Sequence, residues 1–384
     1  MRIVHVTLRF DAPGGVETTV REISRRQREQ GDEVEVFASD LVDEAAWRRE
    51  GSQRPEVDGI PVRRFPVHRR VAPGVSLPWM VGLIDALAES GADVLHAHSH
   101  RYGHVLQAAA VARRCGIPLV VSTHYHPADA TEPLWKKSLL RSEDLLFSAA
   151  AYRTASALVV ESQLEEHLVS AFALPGRLHV VPPGVDLSEW EGDVPKPTER
   201  LGLPRAYVLF AGRIASNKGL PLLFEAVARL APSERLPLVL MGPPWGENEQ
   251  LEARARTLGI DRDVRWLGAV EDRLDYRTVM RGASALVLPS AWEAYGLVLL
   301  DAMAANVPIV ATAVGAVPEV LERGRLGRLV PYGDAEALAD GLRAVRGEPE
   351  RTARLVTAGA AKVRTLTWAR CAQRVRQLYR SAGA

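Results

Sequence analysis

Short runs of β-branched and apolar residues alternate along this chain with stretches whose apolar positions recur every three to four residues. "RIVHVTL" (Arg2–Leu8) predicts a buried strand. Two glycines follow, then a helical pattern from about Val16 to Gln30 that Gly31 stops, then "EVEVFA" as a second strand. That is a βαβ unit. Strands of the same kind recur at "DVLHAH", "PLVVSTH", "ALVVES" and "LHVVPPG" (Leu178–Gly184). A second series begins at "AYVLFAG" (Ala206–Gly212) and continues through "LPLVLMG", "DVRWLG", "ALVLPS" and "PIVAT". Strand–helix alternation repeated this often predicts an α/β fold of two Rossmann-like, doubly wound parallel-sheet domains.

Between the two series lies Asp186–Arg205, polar, carrying prolines and lacking apolar periodicity; the domain linker is expected there. The expected division is residues 1–190 and 191–365, with a basic helix in 366–384, at about Trp368–Tyr379, packing back on the N-terminal domain or resting on its neighbour. Two open parallel sheets facing one another would leave a cleft at the carboxyl ends of their strands, where such sheets bind ligands. Motifs at those strand ends therefore carry the functional reading.

Composition narrows the partners. The 384 residues are 47% apolar and 25% charged, with a net charge of +1, so no basic field exists to attract a nucleic acid. Cys115 and Cys371 form no CxxC pair, and the opening "MRIVHVTLRF" meets charge too soon for a signal peptide. No apolar run approaches the ~20 residues of a membrane span. A cytoplasmic location is the expectation. Arg63, Arg64, Arg69 and Arg70, ahead of an apolar stretch with Trp79, keep a peripheral contact at the inner face of the membrane open; an acceptor-side loop beside a buried helix is the preferred alternative.

Chemistry gathers at the strand ends. Gly14 and Gly15 precede the first helix, where glycines let a phosphate approach free N–H groups; a plain tight turn fits equally well. "AGRIASNKGL" (Ala211–Leu220) places Arg213 and Lys218 near one helix start, suited to a diphosphate. Ser290–Thr312 holds two charged side chains, Glu293 on a loop and Asp301 in an apolar helix expected over Leu297–Ala305, with Asn306 in the left-handed stop position before Pro308. A carboxylate there must accept hydrogen bonds from a ligand or pair with a cation. "DRD" (Asp261–Asp263) reads as a solvated turn. In "VLHAHSH", His96, His98 and His100 alternate and on a strand would share one face. With His124 and His126 they keep a rival reading open, a metal-dependent phosphoesterase, whose first metal-binding motif "HxHS" resembles.

Four stretches together, spanning nearly the whole chain, resemble the family-4 retaining glycosyltransferases of the GT-B fold, the group 1 glycosyl transferases. They are "GGVE" (Gly14–Glu17), "VPPGVD" (Val181–Asp186), "GRIASNKG" (Gly212–Gly219) and Pro289–Glu319 with its E-x7-E-like pair. Three positions depart: Asp301 stands for the usual Glu, Asn306 for a Gly, and Ala316 for the second Gly of a G-G-x-x-E segment. The resemblance implies an N-terminal acceptor domain and a C-terminal donor domain. It implies that Arg213 and Lys218 hold the donor diphosphate, Glu293 the sugar hydroxyls and Asp301 the ribose, with Gly15, Gly296 and Leu297 beside the donor. His124 would contact the sugar; Gly14, Glu17, His98 and His126 fall on the acceptor side. The implied reaction moves a hexose from a UDP-, GDP- or ADP-sugar to a hydroxyl of a glycan, lipid-linked or small-molecule acceptor, with retention and with no metal or other cofactor. Oligomeric state is left open.

Overall fold

The computed structural model describes residues 1–11, 14–43, 47–49, 55–72, 75–127, 134–144, 148–244, 246 and 248–384. The chain forms two compact units, Met1–Pro183 together with Trp368–Ala384, and Gly184–Thr367.

The first unit is built on one eight-stranded sheet. Its strands are β1 (Arg2–Thr7), β2 (Glu33–Ser39), β3 (Glu56–Val57), β4 (Ile60–Phe65), β5 (Val94–His98), β6 (Leu119–Ser122), β7 (Ala157–Val160) and β8 (Leu178–Val180). Their order is β8-β7-β6-β5-β1-β2-β4-β3, parallel except for the β3–β4 edge pair. The central strands β5, β6 and β7 are buried at every position, as expected of strands covered on both faces. Helix α1 (Gly15–Glu29) buries Val20 and Ile23, and α2 (Gly103–Cys115) buries Val105, Ala108 and Val111. Helix α3 (Gln163–Val169) follows β7, its first turn capped by the Ser162 side chain.

The second unit holds β9 (Val208–Ala211), α4 (Leu220–Arg229), β10 (Leu238–Met241), β11 (Val264–Gly268), α5 (Arg273–Gly282), β12 (Ala285–Leu288), α6 (Leu297–Ala304), β13 (Ile309–Thr312) and β14 (Arg328–Val330). The all-parallel order β11-β10-β9-β12-β13-β14 reverses direction between β9 and β12, the switch point at which such sheets bind ligands.

One feature differs from the expected layout. The Asp186–Arg205 stretch lies inside the second unit and is not a spanning linker. Trp190 is buried in that unit's core, and the Arg281 guanidinium donates to the Trp190 carbonyl, so a segment without periodicity is fixed by one aromatic anchor. The final helix α7 (Trp368–Ser381) belongs to the first unit and packs along α1. Trp368, Cys371, Ala372, Val375 and Tyr379 form its buried stripe, and Arg376 clamps Asp32 through two hydrogen bonds of 2.6 and 2.8 Å. Among the described residues no helix is long and apolar enough to cross a membrane.

Candidate active site

In the second unit, three loops at strand carboxyl ends lock together through two glycines. Gly219 caps α4 in the left-handed conformation (φ 68°), and a Cβ there would lie 1.9 Å from the Pro289 carbonyl oxygen. Gly315 follows β13 at φ 52°, and its Cβ would lie 1.9 Å from the Glu293 carbonyl oxygen. Only glycine allows either approach. The Ala316 N–H then donates to that same Glu293 carbonyl (3.1 Å), and Ala291 N–H donates to Asn217 O (2.9 Å). Close packing of backbone on backbone fixes the side chains between.

Those side chains include two of the residues expected to meet the donor. Lys218 Nζ lies 2.6 Å from Glu293 Oε1, and the Ser290 hydroxyl donates to the same oxygen at 2.6 Å. Thr312 Oγ1 in turn donates to the Ser290 carbonyl (2.6 Å). Glu293 is buried and Lys218 largely so. Arg213 sits two residues beyond β9 at the head of the same loop. Gly296 caps α6 at φ 86°, and Leu297 opens that helix, whose first-turn N–H groups lack helical partners. Asn306 ends the helix at φ 59°, with Val307 N–H returning to Ala302 O (2.9 Å).

Asp301 is held differently. The Tyr276 hydroxyl on α5 donates to its Oδ2 at 2.7 Å. Arg273 stacks over the Tyr276 ring (5.0 Å to the centroid) and pairs with Glu189. Burial dominates and pushes the Asp301 carboxyl up to about 6, against the pull of Tyr276 and Arg273. Tyr276 and Arg273 carry no motif and escape sequence reading; their approach depends on how α5 packs on α6.

In the first unit, Gly14 caps α1 in extended backbone, and Glu17 folds back over it so closely that a Cβ on Gly14 would lie 2.1 Å from Glu17 Oε2. Arg9 pairs with Glu17 at 2.8 Å, and Thr19 donates to the carbonyl of Gly15 (2.9 Å). His98, at the end of β5, meets His5 of β1 (2.9 Å) and His124 (3.5 Å), and His124 Nδ1 lies 3.0 Å from Glu161 Oε1. His124 takes left-handed backbone at φ 43°.

The expectation that His96, His98 and His100 share one strand face is corrected. Strand β5 ends at His98, and Ser99 (φ 88°) and Arg101 (φ 62°) turn the chain away. His100 instead bonds Asp144 (2.7 Å) and Tyr152 (2.6 Å). His126 is exposed and bonds the Pro127 carbonyl. His5, His96 and His98 do bring ring nitrogens within 4.8 Å of one another, a spacing a metal could use. All but one of those nitrogens lies within 2.9 Å of a protein partner: Gln27, Tyr379, Ser122 or a neighbouring histidine. His98 Nδ1 has the longer 3.5 Å link to His124. The donor set is a satisfied hydrogen-bond network that a metal would have to break.

Of the arginines weighed for a membrane contact, Arg64 is bound to both Asp11 oxygens (2.5 and 2.6 Å) and Arg63 stacks on Phe37 and Phe65. The side chains of Arg69 and Arg70 lie outside the described residues.

Comparison with known proteins follows the same two-part division. The family described as glycosyl transferases group 1 matches residues 196–362, and that described as Glycosyltransferase Family 4 matches 13–189. A D-inositol 3-phosphate glycosyltransferase of Catenulispora acidiphila is 33% identical, covering 96% of this chain and 91% of that protein. An alpha-maltose-1-phosphate synthase of Mycolicibacterium smegmatis is 31% identical over 75% of this chain and 79% of its own length. Anabaena HepE in complex with UDP and glucose has a TM-score of 0.79 at 20% identity, covering 99% of this chain and 100% of that one. Sucrose-phosphate synthase of Thermosynechococcus elongatus has 0.79 at 21%, covering 99% and 98%. At those identities the solved structures establish the fold, which is GT-B. With both of its units matched and a relative at 33% identity along nearly its whole length, the chain belongs to the group 1 glycosyl transferases, the family-4 glycosyltransferases of the GT-B fold.

Proposed function

We propose that this chain transfers a hexose from a uridine-diphosphate sugar to an acceptor hydroxyl with retention of anomeric configuration and without a metal. The observation that carries the reading is the Lys218–Glu293 pair, 2.6 Å long, on glycine-locked loops at the switch point of the second sheet. A cation and a carboxylate so placed divide the donor between them. When the diphosphate arrives, Lys218 turns to its oxygens alongside Arg213, and Glu293, still held by Ser290, accepts hydrogen bonds from sugar hydroxyls. Asp301 takes the ribose with its Oδ1, since Oδ2 is engaged by Tyr276. His124 is assigned the sugar contact.

In the reaction the anomeric carbon's bond to the diphosphate oxygen breaks and its bond to the acceptor oxygen forms on the same face. The acceptor proton passes to the departing phosphate oxygen. Charge grows on the leaving group, and preorganised cations there lower the barrier by several kcal/mol. UDP as the nucleotide is supported by HepE, which is solved with UDP and glucose. Two relatives carry a sugar or polyol phosphate in their names, so phosphorylated small molecules are the first acceptors to try.

The test is nucleotide release from UDP-, GDP- and ADP-glucose with inositol 3-phosphate as acceptor, for the parent protein, Arg213→Ala and Lys218→Ala. Turnover should fall roughly a hundredfold in each variant while the thermal transition is kept. Near-normal turnover in either would remove that cation from the diphosphate. Loss of parental activity on chelation, restored by magnesium or manganese, would overturn the metal-free part.

A further inference from the structure

Behind His124 the first unit contains a continuous chain of buried polar groups that the transfer reaction, as derived above, leaves unused. It begins at Gln27 on α1, whose amide N–H donates to the Tyr379 hydroxyl of α7 (3.2 Å) and whose Oε1 accepts from His5 Nε2 (2.8 Å). That fixes the proton order of every later link, because a neutral imidazole has one donor and one acceptor. His5 Nδ1 accepts from His98 Nε2–H (2.9 Å), and His98 Nδ1 accepts from His124 Nε2–H (3.5 Å). His124 Nδ1–H then donates to Glu161 (3.0 Å). Both nitrogens of His124 therefore carry protons, and the ring is an imidazolium beside a carboxylate. In the side branch the Tyr379 hydroxyl donates to His96 Nδ1 (2.6 Å), and His96 Nε2–H donates to Ser122 (2.8 Å).

The surroundings agree. His5, His96, His98, Gln27 and Tyr379 are fully buried, and burial lowers the pKa of His5 to about 4 and keeps His96 and His98 neutral. Burial also pulls at His124, but Glu161, Glu165 and Glu17 face it from the end of β7, from α3 and from α1, and together they raise its pKa. Glu165 does more than supply charge. Its Oε1 accepts from Thr123 Oγ1 (2.5 Å) and Tyr125 N–H (2.6 Å), and its Oε2 accepts from Glu161 N–H (2.6 Å). One buried carboxylate thus clamps the residues on both sides of His124, whose left-handed φ of 43° is uncommon outside glycine.

We propose that Glu161 and Glu165 are positioning residues that hold His124 charged and fixed in its left-handed turn, and that the relay His98–His5–Gln27 ties this arrangement to Tyr379 of the C-terminal helix. The assignment of His124 to the sugar rests on the function proposed above; the proton order rests on the hydrogen-bond geometry and on burial keeping His5 and His98 neutral. His124 keeps its Nδ1–H on Glu161 and reaches His98 only through the long 3.5 Å link, so when the donor binds its Nε2–H leaves His98 and donates to a sugar hydroxyl, with the ring's charge balanced by Glu161.

Long-range ¹⁵N–¹H NMR of the histidine rings in the full-length, ligand-free protein tests the proton order directly. At pH 7.5 His124 should be doubly protonated, with His5, His96 and His98 neutral and protonated on Nε2. Glu161→Gln should leave His124 neutral at that pH. Tyr379→Phe, which removes the hydroxyl shared by Gln27 and His96, should alter the His5 and His96 signals. In transfer assays Glu161→Gln should lower kcat about tenfold to a hundredfold with donor KM little changed. Its activity should recover as pH falls, and Glu161→Asp should restore part of it. A neutral His124 in the parent protein, or stoichiometric bound zinc displacing the His5–His98 proton, would overturn the relay. A charged His124 with kcat unaffected by Glu161→Gln would overturn the positioning role. If the NMR pattern stands and the parent transfers no sugar from any nucleotide donor, the transferase assignment fails and the relay does not.

Discussion

At position 301 a carboxylate one methylene shorter than the family's usual glutamate sits in an apolar helix turn and takes the Tyr276 hydroxyl on Oδ2 at 2.7 Å. That hydrogen bond commits one carboxylate oxygen to the protein. Burial has a consequence for stability. The folded carboxyl titrates at about 6 against 3.8 in its ordinary state, so ionising it opposes folding. That penalty is absent below pH 3.8, grows between 3.8 and 6, and is full above 6. Asp301→Asn keeps an acceptor for Tyr276 and carries no charge. We expect it to be more stable than the parent at pH 8 by on the order of 1–3 kcal/mol, with the gain vanishing toward pH 4, measured by denaturant unfolding. A difference that does not change with pH would contradict the assigned burial. For His124 the sign is opposite: its raised pKa makes the pairing with Glu161 stabilising below pH 6.5, and that stability is lost as pH rises through the folded value. Glu161→Gln should therefore cost more stability at pH 6 than at pH 9, and an equal cost at both would argue against the ion pair. At this scale Glu293, Lys218 and Asp301 were legible as candidates because a motif names them. Tyr276, Glu161 and His5 were not: each acquires its role only from a partner 25 to 93 positions away.

Between elements, two family departures become intelligible from backbone angles. Ala316 replaces a usual glycine at φ −81°, a conformation any residue adopts, and is simply buried. Its neighbour Gly315 stands at φ 52°, with a Cβ position 1.9 Å from a carbonyl oxygen. Gly315→Ala should thus destabilise by roughly 3 kcal/mol or more and abolish donor binding, while Ala316→Gly stays within about 1 kcal/mol. Unfolding midpoints and nucleotide titrations distinguish the two, and equal effects would contradict the loop-locking account. The strands were legible because buried parallel strands read as continuous apolar runs, and the stop of α6 because Asn306 tolerates φ 59°. The histidine alternation misled for a local reason. Period-two reasoning holds only while the strand continues, and β5 ends at His98 before Ser99 turns left-handed.

For the chain as a whole, the first unit is closed by residues from both ends of the sequence. An amphipathic stripe at Trp368, Cys371, Val375 and Tyr379 announces that one face of α7 is buried but not against what; the structure pairs it with α1. Truncation after Thr367 would strip the first unit of that stripe, of the Arg376–Asp32 clamp and of the Tyr379 hydroxyl, and should lower its thermal midpoint by ten degrees or so. A truncated protein melting with the parent would show α7 to be dispensable. The central claim, that the assembled molecule is a retaining sugar transferase, is tested most directly by one measurement. Proton NMR of the product formed from UDP-glucose and a phosphorylated polyol reads the anomeric coupling of the new bond before it can equilibrate. The account predicts an α-linked glucose with stoichiometric UDP; a β-linked product, or UDP released with only free glucose whatever acceptor is offered, would contradict it.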